Sequence, residues 1–329
     1  MELLRIIAMF LVMVSHANFW ILSFPTTSDF AVSPLATLMR VLLETLSIVS
    51  VNVFVLISGW YGMKLRRTKL LSFIFQILFF NVLISVLSSL YAGKEIYVID
   101  IVKASLLLDG SLWFVKAYLM LLILSPLLNI YIQNVERKQY KCLLISFFLF
   151  QSVYGWLFPY STVWICNGYS VISFVALYLL ARYIYIYRPS FSCNKRYMDF
   201  MGYIGLSVFI LVLYVLLSNY NLELCRRLFM YSSPLVILSS LYLLFAFSKM
   251  QFKSLYINYV AASVFSVYLF HQNTVFEYIF RGDVLRIYNN HSGLYVILYT
   301  GSYLVLIYAT SFAIDQIRRF CWRHIVNKQ

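Results

Sequence analysis

Charged residues are scarce in this sequence. They make up 12% of the 329 residues, while 62% are hydrophobic and the mean hydropathy is +0.82. Soluble proteins carry roughly a quarter charged residues, so this chain lacks the side chains that would cover an aqueous surface. The composition excludes a soluble enzyme, a disordered chain and a disulfide-rich secreted domain, and it predicts an integral membrane protein.

Metal-binding and redox patterns are also missing. The five cysteines show neither CxxC pairs nor His-rich spacing, and they stand at positions 142, 166, 193, 225 and 321. We therefore predict no metal site and no redox motif.

Acidic residues are the scarcer charged class, with 12 Asp and Glu against 26 Lys and Arg. A net charge of +14 in a soluble protein would suggest nucleic acid as a partner. In a membrane protein the excess has a simpler explanation, because basic residues concentrate in cytoplasmic loops and orient the helices. We expect no nucleic-acid partner.

Apolar runs dominate what is present. A bilayer core about 30 Å thick requires on the order of 20 apolar residues per helix. Ten such runs occur, at 3–24, 41–62, 69–91, 112–133, 140–158, 169–187, 200–218, 228–248, 255–275 and 293–315. The first run is too long for a signal peptide, contains Ser15 and His16, and has no cleavage site after it. The prediction is an all-α, polytopic transmembrane helix bundle with about ten spans.

The basic residues predict how these spans are oriented. Assigning the loops to alternate sides of the membrane places 18 of the 26 on one side. These are Arg5, Lys64, Arg66, Arg67, Lys69, Arg137, Lys138, Lys141, Arg182, Arg188, Lys195, Arg196, Lys249, Lys253, Arg318, Arg319, Arg323 and Lys328. We predict a multi-pass protein of the cell (cytoplasmic) membrane with both termini in the cytoplasm. The longer connections, 25–40, 92–111 and 276–292, are predicted outside.

The spans leave little sequence for a soluble catalytic domain. The first begins almost at Met1 and the last ends about a dozen residues before Gln329. We expect one integral-membrane domain over residues 1–329, with no fused extracytoplasmic domain, so any chemistry is performed by the helices themselves.

Arg5 and His16 are the most informative polar residues inside a run. At about 100° per residue, their separation of eleven returns to within roughly 20° of one helix face. At about 1.5 Å per residue they stand roughly 16 Å apart along the axis, so Arg5 lies at the cytoplasmic boundary and His16 past the membrane centre. A snorkelling arginine and a structural histidine explain the spacing equally well.

Four further residues lie at a depth that an acceptor arriving from outside could reach. His271 ends the ninth run, Trp113 and Lys116 open the fourth, and Glu44 is near the outer end of the second. Each also has a structural explanation, such as an aromatic belt or a snorkelling lysine.

These residues lie in segments that resemble the membrane-bound acyltransferase-3 family. The first helix matches its pattern of Arg or Lys, ten residues, then His. The matching segments are Leu4–Ala8 with Val14–His16, Val53–Tyr61, Leu112–Phe114 with Leu124–Asn129, and Val267–His271. Together they span nearly the whole chain and are specific for the family, although not for a substrate.

The resemblance implies an O-acyltransferase that moves an acyl group, usually acetyl, from cytosolic acyl-CoA to a hydroxyl of a surface glycan. This chain looks like the stand-alone type, whose acceptor is often a lipid-linked sugar or a growing polysaccharide. No permanently bound cofactor is implied. The expected partners are acyl-CoA on the cytoplasmic side, the glycan or lipid-linked sugar on the outer side, and membrane lipid.

The chemistry suits the residues. A sugar hydroxyl is a poor nucleophile, so a base must accept its proton, and histidine titrates in a suitable range. His16 is the predicted catalytic residue, although it could instead carry the acyl group as a covalent intermediate. Guanidinium groups bind phosphate well, so Arg5, Arg66 and Arg67 are predicted to hold CoA. His271, Tyr268, Glu44, Trp113 and Lys116 are predicted supporting residues.

Other readings stay open at this point. A transporter, flippase or polymerase for a lipid-linked glycan would also be polytopic and basic inside, but these normally need large outer loops or internal repeats, which are not evident. An acetyl or succinyl donor would use the same CoA contacts and differ only in pocket shape.

The orientation is testable with reporter fusions. We expect a reporter fused after Lys141 or at Gln329 to report cytoplasm, and one inserted near Thr27 or Gly282 to report the outside, because of the distribution of basic residues. An outside signal at Gln329 would contradict the ten-span topology.

Overall fold

A computed structural model describes residues 1–92, 98–108, 112–158 and 164–326. Its described residues form helices and no strand. The α-helices are α1 Glu2–Ser15, α2 Thr27–Val32, α3 Pro34–Ser47, α4 Ser50–Tyr61, α5 Arg67–Ala92, α6 Val98–Ser105, α7 Trp113–Asn134, α8 Arg137–Ser152, α9 Val171–Tyr187, α10 Arg196–Ser218, α11 Leu222–Leu228, α12 Pro234–Ser248, α13 Leu255–Ala261, α14 Val264–His271, α15 Thr274–Asn290 and α16 Leu294–Val326.

The predicted all-α, polytopic fold is confirmed. Within the described ranges, seven helices are long and apolar enough to cross a membrane: Glu2–Trp20, Pro34–Tyr61, Arg67–Leu87, Trp113–Asn134, Arg137–Leu157, Arg196–Ser218 and Leu294–Ile325. Three shorter apolar helices are Val171–Tyr187, Pro234–Ser248 and Leu255–His271. These helices overlap the ten predicted runs one for one. The side on which each terminus lies stays a prediction, and Lys328 and Gln329 lie outside the described residues.

The predicted outer connections contain helices. Connection 25–40 contains α2 and the start of α3, and connection 276–292 contains most of α15. Helix α6 lies in 92–111, some of which is outside the described residues. At the start of α2 the Thr26 amide donates to the Asp29 side chain at 2.7 Å, and the Asp29 amide donates in return to the Thr26 side chain, which completes a capping box. These Thr26 hydrogen bonds hold the pKa of Asp29 below its usual range.

Glu44 lies deeper in its membrane span than the sequence pattern predicted. The helix that carries it begins at Pro34, because proline suits the first helical position and Ser33 precedes it. Ten residues of α3 come before Glu44, so its carboxyl lies well inside a 28-residue apolar stretch, Pro34–Tyr61.

The chain divides into two compact units, whose boundaries fall within α1 and α7 and in the segments before α5 and α13. The first unit comprises 14–64 and 117–253 together with Met1, and the second comprises 2–13, 65–116 and 254–329. These units are defined by packing and do not test the prediction of one integral-membrane domain over residues 1–329, which stays a prediction.

In the first unit, α4 packs against α9 and α12, and α10 packs against α12 and α3. The α4–α9 contact is close at Gly59, where an added Cβ would lie 2.4 Å from the backbone oxygen of Tyr178. Lys249 and the buried Asp199 form an ion pair.

In the second unit, α14 packs against α5, α15 and α16. Buried polar contacts connect these helices. Gln76 donates to Asp315 at 3.1 Å, and Asn273 donates to Asn81 at 3.0 Å. Asp315 also pairs with Arg318 at 2.7 Å.

The close approach at Gly59 generates a stability prediction. We expect Gly59→Ala to lower the free energy of unfolding by about 1–3 kcal/mol, because the new methyl group must displace backbone. The matched control is Gly205→Ala in α10, where a Cβ meets nothing within 4 Å. The control should be neutral or slightly stabilising. Thermal unfolding of the detergent-solubilised protein measures both, and equal midpoints would contradict the prediction.

Candidate active site

The predicted catalytic histidine begins an irregular turn in the first unit. Residues His16–Trp20 form a π-helical turn that follows α1 directly. A π-turn holds an extra residue relative to α-helix and is frequently found at functional sites. The 100°-per-residue geometry behind the Arg5–His16 alignment thus applies up to Ser15, and His16 starts a wider turn. Its side chain is half-buried.

Glu44 is bound by the residues on either side of His16. The Ser15 hydroxyl donates to Glu44 Oε1, and the Asn18 side-chain amide donates to Oε2 at 3.1 Å. Glu44 is 2% exposed, so these bonds replace water as partners of its carboxylate. The structure thereby brings Glu44 to the segment that carries His16.

Arg40 extends this cluster. It lies one turn before Glu44 on α3, its Nε donates to Asn18 Oδ1 at 3.3 Å, and its backbone oxygen accepts from Asn18 Nδ2 at 2.8 Å. A second guanidinium nitrogen donates to the Ser23 carbonyl at 2.8 Å, just beyond the π-turn. Sequence reasoning missed both Asn18 and Arg40, because their connection runs between two helices.

His271 lies in the second unit and is fully buried at the end of α14. Its Nδ1 stands 2.6 Å from the carbonyl oxygen of Val267. A carbonyl can only accept, so Nδ1 carries the proton, and in the neutral ring Nε2 is the basic nitrogen. The rings of Tyr268 and Phe280 meet this imidazole edge-on, with centroids 5.9 and 5.7 Å away.

Trp113 and Tyr268 are brought together by an intervening phenylalanine. The Phe114 ring lies 6.0 Å from that of Trp113 and 5.6 Å from that of Tyr268, which in turn contacts His271. Three of the predicted supporting residues therefore belong to one aromatic chain. Lys116 is half-buried on the same helix as Trp113.

The predicted CoA-binding arginines differ in their surroundings. Arg5 forms an i,i+3 ion pair with Glu2 at 2.9 Å, with 37% of its side chain exposed. Such a pair contributes about 0–1 kcal/mol, which phosphate could readily displace. Arg66 and Arg67 are exposed at the start of α5.

A comparison with known proteins decides the family. A family model described as an acyltransferase domain matches residues 1–315. The chain belongs to the acyltransferase-3 family. It is therefore a membrane acyltransferase. No curated protein and no solved structure matches the chain.

The acyltransferase has a second basic cluster that sequence reasoning did not single out. Near the end of α9, Arg182 and Arg188 both lie about 5 Å from the centre of the Tyr185 ring, and Arg188 also lies over Trp60. Among the described residues neither guanidinium has a carboxylate partner. The two arginines are six residues apart in sequence. They meet at the same ring because the backbone reverses at Arg188, which has a φ of 44°.

No cluster of His, Cys, Asp or Glu suited to a metal occurs in the ranges that the structure describes. The expectation that the acyltransferase uses no metal stays a prediction. The roles of all the candidate residues likewise stay predictions.

Proposed function

We propose that this acyltransferase moves an acetyl or other short acyl group from cytosolic acyl-CoA to a hydroxyl of a surface or lipid-linked glycan. The family membership supports acyl transfer, and the apolar helices support a membrane setting. The glycan acceptor, the O-acetyl product and the location in the cell membrane belong to the proposal. The observation that supports the proposal best is the half-buried His16 at the start of a π-helical turn, whose flanking residues are bound to Glu44.

In the proposed step His16 is the general base. The hydroxyl oxygen attacks the thioester carbonyl carbon, and its proton passes to the imidazole. The carbon–sulfur bond then breaks, and the CoA sulfur leaves with the electron pair and takes up the proton. Charge and atoms balance without a further co-reactant, and histidine suits both halves because it exchanges protons near neutral pH. An acyl-histidine intermediate would use the same residue as a nucleophile.

The supporting residues receive distinct roles. Arg5, Arg66 and Arg67 bind the anionic nucleotide end of CoA. His271 and the aromatic chain of Tyr268 and Trp113 orient the acceptor, with Lys116 as a nearby cation. The buried, tautomer-defined ring of His271 supports an orienting role, because its Nδ1 bond keeps the ring direction constant.

A transporter, flippase or polymerase of a lipid-linked glycan is the competing class. Mass spectrometry of the host's surface glycan with and without the gene separates the classes. We expect loss of the gene to remove acyl mass from an otherwise unchanged glycan. Loss of the glycan itself would instead select export or polymerisation.

The role of His16 is testable in the same strain. We expect His16→Ala to reduce acyl transfer by about 10²–10⁴, the usual cost of losing a general base. His271→Ala should cost less, since orientation is partly supplied by the neighbouring rings. Glycan O-acylation is measured in cells matched for protein level by immunoblot. Near-normal acylation in His16→Ala would overturn the mechanism, and full loss in His271→Ala alone would exchange the two roles.

Arg5→Lys tests donor binding. Lysine keeps the charge but loses the bidentate fork, so we expect partial activity with a raised KM for acyl-CoA. An unchanged KM at lower turnover would assign Arg5 to structure. The matched comparison is Arg188→Lys. A KM effect confined to Arg188→Lys would move the nucleotide site to the cluster around Tyr185.

A further inference from the structure

The carboxylate of Glu44 binds the chain on both sides of His16. Ser15 precedes the histidine by one residue and Asn18 follows it by two, and each donates to a different oxygen of the carboxylate. Both bonds run from the first membrane helix to α3. They therefore tie the segment that contains His16 to a neighbouring helix at two points.

Asn18 is held from both ends of its amide. Its Nδ2 donates to Glu44 and to the Arg40 carbonyl, while its Oδ1 accepts from Arg40 Nε. This pattern permits one orientation of the amide, because a flipped amide would face donors with a donor and acceptors with an acceptor. Asn18 is 7% exposed, so solvent does not compete for these bonds.

The side chains of Glu44, Asn18 and Arg40 support the π-helical turn that begins at His16. A π-turn is rarer than α-helix and needs local support. Arg40 supplies support at the far end by donating to the carbonyls of Leu22 and Ser23, and Asn18 supplies it within the turn. Glu44 and Arg40 are four residues apart, so one face of α3 presents both groups to the turn.

We propose that Glu44, Asn18 and Arg40 form a positioning network that fixes the π-turn and thereby the direction of the His16 imidazole. The network acts through His16 and does not touch the reacting atoms. This inference rests on the proposed role of His16 as the base.

A reciprocal exchange tests the network. Asn18→Asp sets a second carboxylate against Glu44 and against the Arg40 carbonyl. Glu44→Gln alone is milder, because the glutamine oxygen still accepts from Asn18 while its amide donates to the Ser15 hydroxyl. In the double variant a glutamine at 44 donates to an aspartate at 18, and Arg40 still donates to position 18. The bond from position 18 to the Arg40 carbonyl is not restored, so we expect partial recovery.

The readout is transfer of radiolabelled acetyl from acetyl-CoA to the acceptors in host membrane vesicles, with acetyl-CoA varied. We expect Asn18→Asp to lower kcat by about 10–100-fold with little change in KM, as misplacement of a reacting group does, and Glu44→Gln to lower it less. The double variant should recover about tenfold over the weaker single variant, because the partners are coupled.

A buried polar contact of the same unit, between Ser173 and Gln151, provides the control Gln151→Ala. Its thermal midpoint reports the effect of losing such a contact without affecting His16.

Two outcomes would overturn the network. Near-normal kcat in Asn18→Asp would show that His16 needs no such support. A double variant with less activity than either single, at normal protein level, would show that the charge at Glu44 is itself required, as for a catalytic carboxylate.

The His16→Ala background separates this inference from the proposed function. Asn18→Ala should add no further loss there, because its effect passes through the missing imidazole. An additional tenfold loss would contradict positioning and leave the role of His16 intact. Full activity of His16→Ala by itself would contradict the proposed mechanism instead.

Discussion

A lipid interior offers no hydrogen bonds, so each polar group in a membrane helix must find its partner within the protein. The arrangement of the candidate residues depends on this constraint. Glu44 lies well inside an apolar stretch, and its oxygens are bound by Ser15 and Asn18. His271 is fully buried and bonds to the carbonyl of its own helix. Groups that water would leave free to rotate are thus held in defined directions.

The same constraint explains the buried ion pairs, whose surroundings differ from those of the Glu44 carboxylate. Asp315 is bound by Arg318 and Gln76 in the second unit, and Asp199 by Lys249 in the first. Removing one partner of such a pair leaves an uncompensated charge, which is strongly destabilising. Glu44 differs because its partners flank a histidine on an irregular turn. The same kind of buried carboxylate therefore stabilises helix packing at Asp315 and Asp199 and, as we propose, orients a side chain at Glu44.

The two histidines illustrate how surroundings divide roles. His271 is enclosed by aromatic rings, and the Val267 carbonyl defines its tautomer, which suits a group that keeps one orientation. His16 is half-buried, so a substrate can reach it, and the residues on either side of it are bound to Glu44. A base that must meet a hydroxyl and a thioester needs such access. Water would compete for the thioester at an open site, which favours a base within the membrane helices.

Apolar runs and the spacing of a few motifs were sufficient to predict the family, the all-α fold and the ten apolar helices. Those features are local, since about 20 consecutive apolar residues define a span whatever surrounds it. The helical connections were less readable, although the capping box at Thr26 and the proline at 34 were visible signals. The π-turn at His16 and the amide of Asn18 were decided by tertiary structure, because their partners Glu44 and Arg40 lie more than 20 residues away on another helix. Periodicity assigns a residue to a face of its helix, whereas only packing determines which side chain meets it there.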